Sequence, residues 1–231
     1  FDSVFQILAP EIKIITPIRD LKLSRQEEIA YLKKHGVSIN WEKAKYSINK
    51  GLWGTSVGGD ETLTSHLPLP TTAFPSQLKE TEEKNIVLSF NKGQLTAINH
   101  EVGNAVTIIE ELNKIASQFA IGRDIHVGDT IVGIKGRVGF EAAAALIIIK
   151  AHHLLEKHTL TKWQMQHKEY LASFYGMHLH EGQFLDPVMR DIEAYLSSSQ
   201  ETVSGDVYIK LRPYHFELEG IKSPNDLMQS K

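Results

Sequence analysis

The sequence contains no cysteine, which excludes disulfide staples and thiol nucleophiles without fixing a compartment. Long apolar runs are also missing: the longest, 142–149, is far too short to span a bilayer as a helix, so no membrane partner is expected. The formal net charge is −3 over 231 residues, which leaves no basic footprint for nucleic acid. No secretory leader stands at the start, and a cytoplasmic protein is expected. There is no phosphate-cradling loop either, because Gly58-Gly59-Asp60 lacks the Gly-Lys-Ser/Thr that seats phosphates on a helix N-terminus. Eleven histidines raise the question of a metal, with His152, His153 and His158 along one helix and His178 and His180 on a strand face beside Glu181. None has a recognised ligand spacing, and no metal site is expected.

What is present reads as a globular chain, 42% apolar and 23% charged, with room for one large domain or two small ones. It opens at Phe1 in what reads as a helix and ends at Gln229-Ser230-Lys231 without a closing element, as a piece of a longer polypeptide would. Residues 1–40 read as strand, helix, strand. Ile12-Lys13-Ile14-Ile15 is the first strand, and Ser24 with Glu27 forms a capping box. A helix with Ile29 and Leu32 inward stops at Gly36, and Val37-Ser38-Ile39 is the second strand. Such a unit belongs at the edge of a parallel sheet.

Residues 60–84, with Pro68, Pro70 and Pro75, read as an irregular arm ending in a solvated charge run at 79–84. Ile86–Phe90 and Gln94–Ile98 flank Asn91-Lys92-Gly93 as a hairpin. Thr107–Ala120 carries a core stripe of Ile108, Ile109, Leu112, Ile115, Ala116 and Phe119, with Thr107 and Glu110 as a second capping box. A strand over 130–135, a buried helix over 141–157, helices over 160–175 and 187–198 (Asp186 as cap), and a hairpin of 203–211 with 214–219 complete an α+β pattern.

The stretch that carries the most chemistry is Lys45–Gly59, KYSINKGLWGTSVGG. Its glycines let the backbone turn tightly and approach a ligand, Trp53 can anchor the loop by burying its ring, and Ser47, Thr55 and Ser56 offer neutral donors and acceptors. The same residues also suit an ordinary connection with serine turn caps. Farther on, Arg123, Lys135 and Arg137 form a cationic group that fits a substrate carboxylate, nucleotide phosphates or acids across a subunit interface.

YSINKGLWGTS, together with IGRDIHVGDTIVGIKGRVGFE over 121–141, resembles the argininosuccinate synthase family, and the resemblance runs from ILAPEIKIITPIRD to IKSPNDL. It implies a synthetase and oligomerisation domain over 41–231, preceded over 1–40 by the tail of a nucleotide-binding α/β domain. It also implies an ATP-dependent ligase of arginine biosynthesis: ATP, with Mg2+, adenylates the ureido oxygen of citrulline, and the aspartate amine displaces AMP. Ser47 and Ser56 fall on the family's citrulline serines, and a homotetramer is implied. The family's Ser-Gly-Gly-x-Asp-Thr-Ser loop for ATP and its aspartate-binding residues are absent, so residues 1–231 alone are expected to be inactive; an assembly module is the non-enzymatic alternative.

Two departures from the family pattern concern the amino-acid end of citrulline. Gly128 stands where the family has a glutamate, and Phe140 where it has a tyrosine. An ammonium needs a nearby anion when partly desolvated. Either Asp129 replaces the lost carboxylate, or the substrate is an N-acylated citrulline that has no ammonium.

Overall fold

The computed structural model describes residues 2–38, 46–129 and 133–228. Residues 2–38 carry three helices, α1 (Asp2–Leu8), α2 (Pro17–Leu21) and α3 (Arg25–Lys34). The capping box of α3 forms as expected: Ser24 Oγ accepts from the Glu27 amide, and the Glu27 carboxylate accepts from the Ser24 amide at 2.7 Å. Gly36 ends the helix at φ +76°. The strand expected over 12–15 does not form, and Ile12 and Ile15 are exposed. A β-branched run becomes a strand only beside a partner, and the described residues here offer none. Val37 and Ser38 are also irregular, and Ile39 lies outside the described residues.

From residue 46 on, two antiparallel sheets organise the chain. The first consists of β1 (Ser47–Lys50), β2 (Thr55–Gly58), β6 (Arg123–Asp129) and β7 (Lys135–Glu141), in the order β1-β2-β7-β6. The second comprises β3 (Lys84–Asn91), β4 (Gln94–Ile98), β5 (Glu101–Val102), β8 (Gly205–Arg212) and β9 (His215–Lys222), in the order β5-β4-β3-β8-β9. Lys92 and Gly93 join β3 to β4 with φ of +49° and +76°, the mirror-image turn that matches strand twist.

Helices α4 (Ala105–Ala116) and α5 (Ala143–Thr159) cover the second sheet. Leu112 of α4, Ile147, Ala151 and Leu155 of α5, and Ile86, Leu88, Val207, Ile209 and Leu211 of the strands form its buried core. The predicted stripe of α4 is therefore core, but its cap is Asn104, whose side chain accepts from the Thr107 amide at 3.0 Å. Helix α6 (Lys162–His180) takes in both His178 and His180, so they share a helix and not a strand. Helix α7 (Val188–Ser199) begins where Asp186 accepts from the Val188 amide at 3.0 Å. The strand expected over 130–135 splits differently: 130–132 lie outside the described residues, Gly133 and Ile134 precede β7, and the unforeseen β6 pairs with it. Among the described residues, no helix is long and apolar enough to cross a membrane.

Candidate functional site

Register assigns the faces of the first sheet. In an antiparallel pair, residues directly opposite each other project to the same side, and neighbours along a strand alternate. Asn49 pairs with Ser56, Ser56 with Phe140, and Phe140 with Asp124, so these four form one row across all four strands. Ser47, opposite Gly58, shares that face on β1; His126 and Gly128 share it on β6.

The opposite face carries Thr55, Val57, Arg123, Arg137, Gly139 and Glu141 and is covered by the arm at 60–76. Val57 is fully buried with Ala73 and Phe74, and Leu69 packs on the bare α-carbon of Gly139. Arg137 Nη1 donates to the carbonyls of Glu61, Thr64 and Leu67 at 3.0, 2.6 and 2.9 Å. Arg123 donates to the Ser76 carbonyl, lies 3.6 Å from Glu141, and stacks on Phe74. The cationic group, expected to meet either an anionic ligand or acids across a subunit interface, is thus turned to the back of the sheet, where Arg123 and Arg137 hold the arm. Lys135 pairs with Asp129 on that same side. Period-two alternation accounts for this: Asp129 is one residue from Gly128 and therefore faces away from it.

Among the described residues the front face is open. Asn49 Nδ2 lies 3.4 Å from Ser56 Oγ, and Ser56 is half-buried while Ser47 is exposed. Phe140 leans over Gly54, where a Cβ would come within 2.8 Å of two ring carbons. Gly128 lies four residues along β6 from the Asp124–Phe140 row, about 13 Å away at strand spacing. Ser47, Ser56 and Phe140 are therefore grouped, with Gly128 at the far end of the same face. The room at Gly128 is partly filled by His126, whose Nε2 lies 3.1 Å from where a Cβ would stand.

Trp53 does not anchor the loop; it is 52% exposed at the tip of the β1–β2 hairpin. The anchor is Asn113 of α4, whose amide donates to the Leu52 carbonyl at 3.1 Å and accepts from the Ala144 amide at 3.0 Å. Nothing local to residues 45–59 signals this contact. A cavity of about 580 Å³ opens beside the same turn, lined by Lys50, Thr55, Ser76, Glu110, Asn113 and Glu141, and is separate from the Ser56–Phe140 row.

A family model described as "Arginosuccinate synthase C-terminal domain" matches residues 46–231. The chain belongs to the argininosuccinate synthase family. A second model, "Arginosuccinate synthase N-terminal HUP domain", matches residues 1–38 of this family member. Argininosuccinate synthase of Methanocaldococcus jannaschii is 36% identical over 214 residues, covering 91% of this chain and 54% of its own. That of Dictyoglomus turgidum is 37% identical over 228 residues, and that of Rubrobacter xylanophilus 34% over 233; each match covers 98% of this chain and 57% of the relative. The chain thus spans a little over half the length of these argininosuccinate synthases.

Proposed function

We propose that this chain is the synthetase part of an argininosuccinate synthase, and that the open face of its first sheet receives citrulline. The observation that carries the reading is that Ser47 and Ser56 of the β1–β2 hairpin and Phe140 of β7 lie on one face of the sheet, which no described residue covers. Ser47 and Ser56, with the Asn49 amide beside them, supply neutral donors and acceptors that match those of an uncharged ureido group. Orienting that group is a large part of what such a site contributes, since its oxygen must be presented to ATP and its carbon then to the incoming amine. In this reading ATP, with Mg2+, adenylates the ureido oxygen with release of pyrophosphate, and the aspartate amine then displaces AMP from the ureido carbon.

The three cations Arg123, Lys135 and Arg137 are not free for a nucleotide. Arg123 and Arg137 are committed to arm carbonyls and Lys135 to Asp129, so no step is assigned to them. ATP and aspartate belong to the portion of the relatives that this chain does not span, and residues 1–231 alone are predicted to be inactive. Assembly into a homo-oligomer, a tetramer by family resemblance, is supported by α6, where Trp163, Tyr170 and Met177 lie seven residues apart and are 63%, 70% and 56% exposed.

The test is ATP-dependent conversion of citrulline and aspartate to argininosuccinate by the intact native polypeptide. Absence of product overturns the reading; product from residues 1–231 alone overturns the division of labour.

A further inference from the structure

The front face of the first sheet carries a single carboxylate among the described residues. Its strand positions are Ser47, Asn49, Ser56, Gly58, Asp124, His126, Gly128, Gly136, Val138 and Phe140, and the only acid in that set is Asp124. Asp129 and Glu141 both face the arm side, where cations already neutralise them. Asp124 differs. It is exposed, no cation pairs with it among the described residues, and its one recorded hydrogen bond is from the Ile125 amide to Oδ1 at 2.7 Å.

Asp124 stands directly opposite Phe140, which stands directly opposite Ser56. Two strand intervals, about 10 Å, separate Asp124 from the serine, with Phe140 at the strand position between them. A zwitterionic amino acid laid across this row would have its polar side-chain end at Ser56 and its aliphatic stem on Phe140. Its ammonium would then lie near Asp124. We infer that Asp124 is the carboxylate that receives the α-ammonium of the substrate and so selects a free α-amino acid over its N-acyl derivatives. The inference rests on the reading of this face as the citrulline site. Gly128 is a weaker place for an added acyl group, because the His126 imidazole already occupies part of the space.

Steady-state kinetics of the intact native polypeptide test this, with citrulline and Nα-acetylcitrulline as alternative substrates. Asp124→Asn should raise the KM for citrulline by about tenfold or more, as expected for loss of a charge-assisted hydrogen bond, and leave the KM for ATP unchanged. Asp124→Glu, which keeps the charge, should recover most of the loss. Nα-acetylcitrulline should be the poorer substrate of the wild type and should be handled equally by wild type and Asp124→Asn. An unchanged citrulline KM in Asp124→Asn, or a wild-type preference for the acetylated substrate, overturns the assignment. Should the asparagine variant not fold, the wild-type comparison of the two substrates still decides. A raised KM in Ser56→Ala beside a normal one in Asp124→Asn would sink this inference alone, whereas no turnover of either substrate by the wild type would sink the citrulline reading with it.

Discussion

The ring of Phe140 rests on the α-carbon of Gly54. A methyl group there would meet two ring carbons at 2.8 Å and the Ala142 Cβ at 2.9 Å. The glycine is needed for this close approach and not for a left-handed turn, since its φ is not positive. Gly54→Ala should therefore cost about 1–3 kcal/mol through overpacking, read as a lower urea midpoint. In a Phe140→Ala background the same change should cost less, because only the Ala142 contact remains; equal costs in both backgrounds would show that the ring moves aside freely.

Trp53 and Asn113 make unequal contributions to the same hairpin tip. With half of the indole in solvent, Trp53→Ala should cost less than about 1 kcal/mol, well below a buried aromatic. Asn113→Ala removes a donor to Leu52 and an acceptor for Ala144 at once, and should cost about 1–3 kcal/mol. Melting curves of the two variants give the order directly, and a larger loss for Trp53→Ala would contradict the structure.

His152 lies beside the buried Glu156 and edge-on to Phe90. Burial holds its pKa below the ordinary 6.5, a shift partly opposed by the Glu156 carboxylate. The folded state therefore binds fewer protons here than the unfolded chain. This contribution to stability is intact above about pH 6.5 and is lost as pH falls below it. Urea midpoints should drop between about pH 7 and about pH 5, and His152→Gln should flatten that dependence. An unchanged slope in the variant would show that the imidazole titrates normally.

The parts of the fold that the sequence made legible are those governed by neighbours in the chain. The Ser24–Glu27 capping box, the Lys92–Gly93 turn and the core stripe of α4 each depend on spacings of one to four residues, and each formed. The strand expected at 12–15 failed because strand formation depends on a partner that local pattern does not supply. Ser47, Ser56 and Phe140 could be singled out as residues, but whether they share a face is a property of register between strands as much as 93 positions apart. Asp124 passed unnoticed for the same reason: only its pairing with Phe140 brings it to the row. Arg123 and Arg137 looked like anion contacts because their charge was visible and the arm carbonyls that occupy them were not.

The central claim, that the uncovered face of the first sheet is the citrulline site, is tested most directly by one comparison of KM values in the intact native polypeptide. Ser56→Ala sits on the front face and Lys135→Met on the back. Loss of one neutral hydrogen bond in Ser56→Ala should raise the KM for citrulline roughly two- to twelvefold while leaving that for ATP in place, and Lys135→Met should change neither. A citrulline KM that is indifferent to Ser56→Ala, or one that rises in Lys135→Met instead, would contradict the account.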